Sequence, residues 1–491
     1  MTRYTPSSSS SSPLTTPVTT SSAAEAYISN ASAPRHNTDL FITNTLRKQY
    51  PQLHLTVVPG GLCNLPAFAL AGKAGLAPID HEKDHYSWSV YLPSPRRLDG
   101  PRDGVAELTR FGKYLLDYGN REFVVYIVNG RDGLEGYPVL ENQYILSSSV
   151  QATNELILEA GRWSDSLHEE VWVFDQGFWQ KSRELYDSVK NAEWSNVILS
   201  QDMKDSLLAD VNNFFDGRAT YTSLSVPWKR GVIYYGPPGN GKTISVKAMM
   251  HTLQKRTPGV PSLYVRSLVT FGGPERALAL IFSQARRYAP CYLIFEDLDT
   301  IITPNVRSYF FNEVDGLKSN DGIFMVGSTN HLDQLDPGIS KRPSRFDRKY
   351  YFPNPNEKER EEYARFWQTK LKNNKDVEFP DALCRAIAGI TEDFSFAYLQ
   401  EAFVASLLAI AGRKQTPVDK HEESKSDVAH LEKRLNEATQ IERSQMSGKD
   451  MATQVDNDHD KHELDKLILW KEMRKQVTIL REEMDERVDR K

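Results

Sequence analysis

At 491 residues, with 40% hydrophobic and 25% charged side chains, the chain is large enough for two or three folded units of ordinary globular composition. A formal net charge of −5 gives no electrostatic case for nucleic acid or an anionic membrane as partner. Cys63, Cys291 and Cys384 are too widely spaced to read as a disulfide framework or a Cys-x-x-Cys metal site, which fits a reducing compartment. An intracellular location is expected, cytoplasmic or nuclear in preference to mitochondrial.

Residues 1–40 are dominated by Ser, Thr, Ala and Pro, too poor in apolar surface to fold, and are expected to be disordered. Their Thr5-Pro6, Ser12-Pro13 and Thr16-Pro17 pairs and the Asn30-Ala31-Ser32 sequon are read as products of composition. Residues 41–193 turn globular, with β-like runs at 53–58, 87–91 and 123–128, and are expected to form a separate mixed α/β domain. His81-Glu82-Lys83-Asp84-His85 matches the zinc-protease string H-E-x-x-H, but that chemistry needs both histidines on one helix face. This stretch follows Pro78 and runs into an alternating strand, so zinc is rejected. The aromatics Trp172, Phe174, Phe178 and Trp179 read as core.

The apolar run Val232-Ile233-Tyr234-Tyr235 leads into Gly236-Pro237-Pro238-Gly239-Asn240-Gly241-Lys242-Thr243, and a helical pattern follows. Strand, loop and helix in that order are the context a phosphate-binding loop requires. Glycines let backbone N–H groups curl around phosphate oxygens, Lys242 reaches the outer phosphates, and Thr243 offers its hydroxyl to Mg²⁺. The helix adds the positive end of its dipole. Downstream, strands at 263–265, 291–295 and 323–326 alternate with helical segments, predicting a parallel sheet with helices on both faces. Glu296-Asp297-Leu298-Asp299 ends the second of these strands, where such sheets place ligands.

These motifs together resemble the AAA ATPase family over roughly residues 194–413. The resemblance implies ATP and Mg²⁺ as ligands and ATP hydrolysis coupled to remodelling, unfolding or translocating a protein client. A nucleotide-gated assembly with slow or no hydrolysis is the alternative. It also implies a homo-oligomer, hexameric or another ring. By the same resemblance Asn330 matches the polar sensor, Arg342 and Arg345 the arginines that bridge subunits, and Phe394-Ser395-Phe396-Ala397 the lid helix. The family's acids would place Glu296 with Thr243 at the metal and Asp297 on the attacking water, an inverted order that shifts one methylene between the two side chains. That order and the phrase Trp228-Lys229-Arg230-Gly231 are similar to the branch that matures the Rieske iron–sulfur protein at the mitochondrial inner membrane, and to its fungal relatives. That branch has a transmembrane anchor; here no run of eighteen apolar residues occurs, so none is expected. Phe271 in Thr270-Phe271-Gly272-Gly273 falls where client-threading members carry a pore-loop aromatic; it reads equally as a gripping residue or as a buried aromatic before a turn.

The large ATPase subdomain is thus expected over 194–355 and a helical lid over 356–415, opening on an Asn356 cap with Glu359 three residues on. Residues 416–491 are charged with both signs mixed, and long exposed helices are expected. Trp470, Met473, Val477, Leu480 and Met484 recur at three and four, too briefly for a coiled coil, so packing on the ATPase body or fraying is expected.

Overall fold

The computed structural model describes residues 38–79, 85–94, 102–130, 140–315, 318–342, 345–415 and 463–489. The expected disordered segment falls almost wholly outside them, as do residues 416–462 and His81 to Asp84 of the zinc-like string. The chain divides into two compact units, 1–168 and 169–491.

The first unit is built on an antiparallel sheet of β1 (His54–Pro59), β2 (Gly75–Pro78), β3 (His85–Leu92), β4 (Gly104–Tyr118), β5 (Arg121–Gly130) and β6 (Leu140–Ser147). The order is β1-β6-β5-β4-β2, with β3 also on β4. The helix Val150–Asp165 covers one face, burying Ala152, Leu156 and Ala160 against Val125, Ile127 and Ile145. Its start is set by Ser149, whose hydroxyl accepts from the Ala152 N–H. On the other face Tyr126, Tyr144 and Leu146 pack with Leu46 of the helix Thr38–Gln49. His85, the last residue of the zinc-like string, opens β3 and meets the Tyr114 ring edge-on, so it lies on a strand and not on a metal-binding helix.

The second unit is organised by a sheet of β7 (Val171–Asp175), β8 (Phe178–Ser182), β9 (Lys229–Tyr235), β10 (Ser262–Val265), β11 (Cys291–Phe295), β12 (Ile323–Thr329) and β13 (Arg348–Tyr351). The order is β13-β9-β12-β11-β10-β7-β8, parallel throughout apart from the β7–β8 hairpin. Side chains alternate across it: Ile233, Leu263, Leu293, Phe295 and Met325 face the helix Gly273–Arg287, while Val232, Ile294, Phe324 and Val326 face the helices Lys242–Gln254 and Gln201–Asp216. Both faces are therefore buried, which is why these strands read as continuous apolar runs. The sheet also takes in β7 and β8, so residues 169–193, assigned from sequence to the amino-terminal domain, belong to this unit. Phe174 is core as expected, whereas Phe178 is exposed because it sits just past the hairpin turn at the sheet edge.

The helices Glu357–Leu371, Asp381–Ile390 and Phe396–Gln415 form the lid. The expected cap is present: Asn356 accepts from the Glu359 N–H, and the Glu359 carboxylate accepts from the Asn356 N–H. The helix Ile468–Asp489 packs here, burying Leu469, Trp470, Met473, Val477 and Leu480 against Leu399, Phe403 and Ile410. The part of the tail that is described thus completes the lid core. Among the described residues no helix is long and apolar enough to cross a membrane.

Candidate nucleotide site

The register of the parallel sheet brings three turns to one edge. Thr329 pairs with Tyr235 and Phe295 with Gly327, so the chain leaves β9, β11 and β12 side by side at Gly236, Glu296 and Asn330. These are the carboxyl ends of the strands, where an open α/β sheet holds its ligand.

The loop 236–243 is locked into the curled form that its glycines permit. Gly236 has φ +142°, and a Cβ there would lie 2.2 Å from the Phe352 carbonyl oxygen. Gly239 has φ +81°, and its Cβ would meet that of Ala397 at 2.5 Å. Neither position has room for a side chain. The helix starts at Lys242, whose Nζ donates to the Gly236 and Pro237 carbonyls at 2.7 and 2.8 Å. Burial lowers the ammonium pKa, and the nearby charges of Asp297 and Asp299 work against that shift.

A cleft of about 870 Å³ opens over this loop. Lys242, Thr243, Asp297, Ser328 and Asn330 line its polar end, and Val197, Ile198, Tyr363, Phe366 and Trp367 its apolar end. Such a division suits a ligand with a phosphate tail and a flat base. The acidic and sensor turns are stitched together: the Asp297 N–H donates to Ser328 Oγ at 3.2 Å, and Thr329 Oγ1 donates to Asp299 Oδ1 at 2.7 Å. Thr329 Oγ1 also accepts from the His331 N–H at 2.9 Å, which fixes the turn carrying Asn330. Asp297 has φ +51°, a left-handed conformation that Asp tolerates better than most residues.

The two neighbouring acids are placed differently. Asp297 lines the cleft. Glu296 points one carboxylate oxygen at Tyr264 on β10, whose hydroxyl donates to Oε2 at 2.5 Å, while Oε1 is buried without a protein partner. Burial, followed by the charge and hydrogen bond of Glu296, raises the Tyr264 pKa, so this hydroxyl keeps its proton. The residues present fit a magnesium nucleotide: Mg²⁺ takes few protein ligands beside phosphate oxygens and water, and the Thr243 hydroxyl in the cleft and the orphan Glu296 Oε1 on the adjoining turn are oxygens of the kind it takes.

Residues 232–354 match the model of the ATPase family associated with various cellular activities, AAA. The chain carries an AAA ATPase domain. Domains of this family are generally ATP hydrolases, usually use Mg²⁺, and typically assemble as rings.

The expected pair of bridging arginines separates in the structure. Arg342 is exposed. Arg345 is only 6% exposed: its Nε donates to Asp315 Oδ2 at 2.7 Å, its Nη1 to the Gly338 carbonyl at 2.8 Å, and its guanidinium lies 3.5 Å from the centre of the Phe311 ring. Committed to its own subunit in this way, Arg345 is not free to reach a neighbour, and the expectation for it is corrected. The phrase 228–231 takes part in the same anchorage. Lys229 shares Asp315 at 3.4 Å, and a Cβ on Gly231 would sit 2.0 Å from the Arg345 carbonyl oxygen.

Phe271 is fully exposed, and Val269 beside it is also exposed, so Phe271 is not a buried aromatic. The residues that sequence reasoning passed over are Tyr264 and the aromatic lining from the lid. Tyr264 was hidden in a short apolar run.

Proposed function

We propose that the protein binds Mg-ATP in this cleft, hydrolyses it, and uses the cycle to remodel or translocate a protein client. Lys242 would hold the outer phosphates, Thr243 and Glu296 Oε1 the metal and its waters, Asp297 the attacking water and Asn330 the γ-phosphate side of that water. Bound Mg²⁺ supplies charge that stabilises the phosphate oxygens as the bond breaks. The chain's own contribution is to hold these groups on turns fixed by the Ser328 and Thr329 hydroxyls. The observation that carries the reading is the meeting of Lys242, Thr243, Asp297 and Asn330 at one cleft wall.

The client half of the proposal rests on Phe271, held in the open on the loop between β10 and the helix Gly273–Arg287. Arg342 is the arginine proposed to reach the nucleotide of an adjacent subunit in a ring. The resemblance to the Rieske-maturing branch agrees with a protein client and does not name one. A second reading, a nucleotide-gated assembly with slow hydrolysis, draws on the Tyr264 hydroxyl that holds Glu296 back.

Direct binding and turnover assays test the first half. Lys242→Ala removes phosphate charge from the ground state and is expected to abolish ATP binding, whereas Asp297→Asn is expected to keep binding and slow turnover by roughly 10² to 10⁴. Equal loss of binding in both variants would remove Asp297 from the water-activating role. Full turnover in Asp297→Asn would do the same.

A further inference from the structure

We propose that Asn354 is a positioning residue that ties the phosphate loop to the lid, so that the state of the loop is felt by the lid through one side-chain amide. The proposal deepens the nucleotide reading of the cleft and rests on it. Asn354 lies between β13 and the lid helix Glu357–Leu371, on the segment that joins the two parts of the unit.

The chain of contacts is short and directional. Asn240, inside the phosphate loop and 1% exposed, donates its Nδ2 to Asn354 Oδ1 at 2.8 Å. Asn354 in turn donates its own Nδ2 to the Asp393 carbonyl at 3.1 Å, on the turn before the helix Phe396–Gln415. One amide therefore accepts from the loop and donates to the lid. Because its two ends are chemically distinct, it cannot flip without breaking both bonds.

Further observations bear on the bridge. The imaginary Cβ of Gly239 meets Ala397 Cβ at 2.5 Å and Ser395 Oγ at 3.1 Å, so the loop lies directly against the start of the lid helix. Asn240 Oδ1 is buried with no protein partner, although a buried amide normally satisfies both ends. The Asn240 side chain is thus held from one end only, by Asn354. Asp393 has φ +63°, a turn conformation that aims its carbonyl at the bridge. On the lid side, Arg360 fixes the same segment by donating to the Pro355 and Ala388 carbonyls at 2.9 and 3.0 Å. A displacement of Asn354 is therefore passed to the lid frame and not absorbed by a slack linker.

The experiment is hydrogen exchange on the full chain without nucleotide, followed through peptides covering 236–243 and 391–397. Asn354→Ala breaks both bonds, and exchange is expected to rise roughly fivefold in both peptides, the worth of about one net hydrogen bond each. Asn354→Asp keeps an acceptor for Asn240 but has no N–H for Asp393, so only 391–397 is expected to rise. Without phosphates present, its added charge has no ligand to repel. Asn356→Ala, which removes the neighbouring helix cap, is expected to lower the melting temperature and leave 236–243 unchanged. ADP is then added: wild type is expected to gain protection at 391–397, and Asn354→Ala to bind ADP with that gain lost. Wild-type exchange at 391–397 in Asn354→Asp, or an undisturbed 236–243 in Asn354→Ala, would overturn the bridge. If wild type fails to bind ADP while the nucleotide-free pattern holds, the bridge stands and the nucleotide reading falls.

Discussion

β11 and β12 are buried at every position, whereas β3 in the other unit has no fully buried residue. The contrast follows from how each sheet is covered. Crossover helices pack both faces of a parallel sheet, so its strand interiors serve stability and only their carboxyl ends are left to face a ligand. β3 and the first half of β4 form a ribbon that keeps Tyr86, Trp88, Tyr91 and Val105 exposed. In the parallel sheet, then, stability and chemistry are separated along β11 by a short step: Phe295 is wholly core and Asp297, just past the strand end, lines the cleft.

The sharpest way to break this comparison is to truncate one side chain in each sheet. Phe295→Ala leaves a hole among Phe282 and Phe310 and is expected to cost about 3–5 kcal/mol in a denaturant titration. Val105→Ala, at a position 75% exposed, is expected to stay within about 0.5 kcal/mol. Similar costs for the two would show that the ribbon is covered in solution.

The two arginines extend the same contrast to one short segment. Arg345→Ala takes from the half-buried Asp315 its closest charged partner and is expected to lose about 3 kcal/mol of stability. Arg342→Ala is expected to melt as wild type does yet lose roughly 10³ in ATP turnover. Mixed with Lys242→Ala protein it should regain part of that rate, since intact phosphate loops then face intact arginines. Wild-type turnover by Arg342→Ala at every concentration would rule out a bridging role.

The smallest structural effect is expected at the exposed loop. Phe271→Ala should leave stability within about 0.5 kcal/mol and basal turnover unchanged, while client-stimulated turnover disappears. A core-sized loss of stability would contradict its exposure.

Much of the second unit was legible because its signals are local. The loop 236–243 declares itself by spacing, the strands by unbroken apolar runs, and the Asn356 cap by a partner three residues away. What escaped depends on register or on distant partners. Tyr264 reaches Glu296 only because β10 and β11 pair Val265 with Phe295. Arg345 finds Asp315 across thirty residues, and sequence spacing alone cannot separate it from Arg342. β7 and β8 were placed in the wrong unit because a strand that joins a parallel sheet at its edge carries no mark of which sheet it will join. The tail helix was half legible: its three-and-four spacing announced a buried face, but not that the face belonged to the lid.

That last helix sets an order of events during synthesis. Ser406 in the lid contacts Met473 of the tail helix, 67 residues further along the chain. At about 5–20 residues per second the ribosome takes roughly 3–13 s to cover that interval. Until it has done so, the apolar side of the helix Phe396–Gln415 stands uncovered beside a phosphate loop whose strands are already made. The nascent chain therefore passes through a stage in which every residue lining the cleft has been made and the lid surface that the tail helix buries is still exposed to any chaperone, or any second nascent copy, that arrives first.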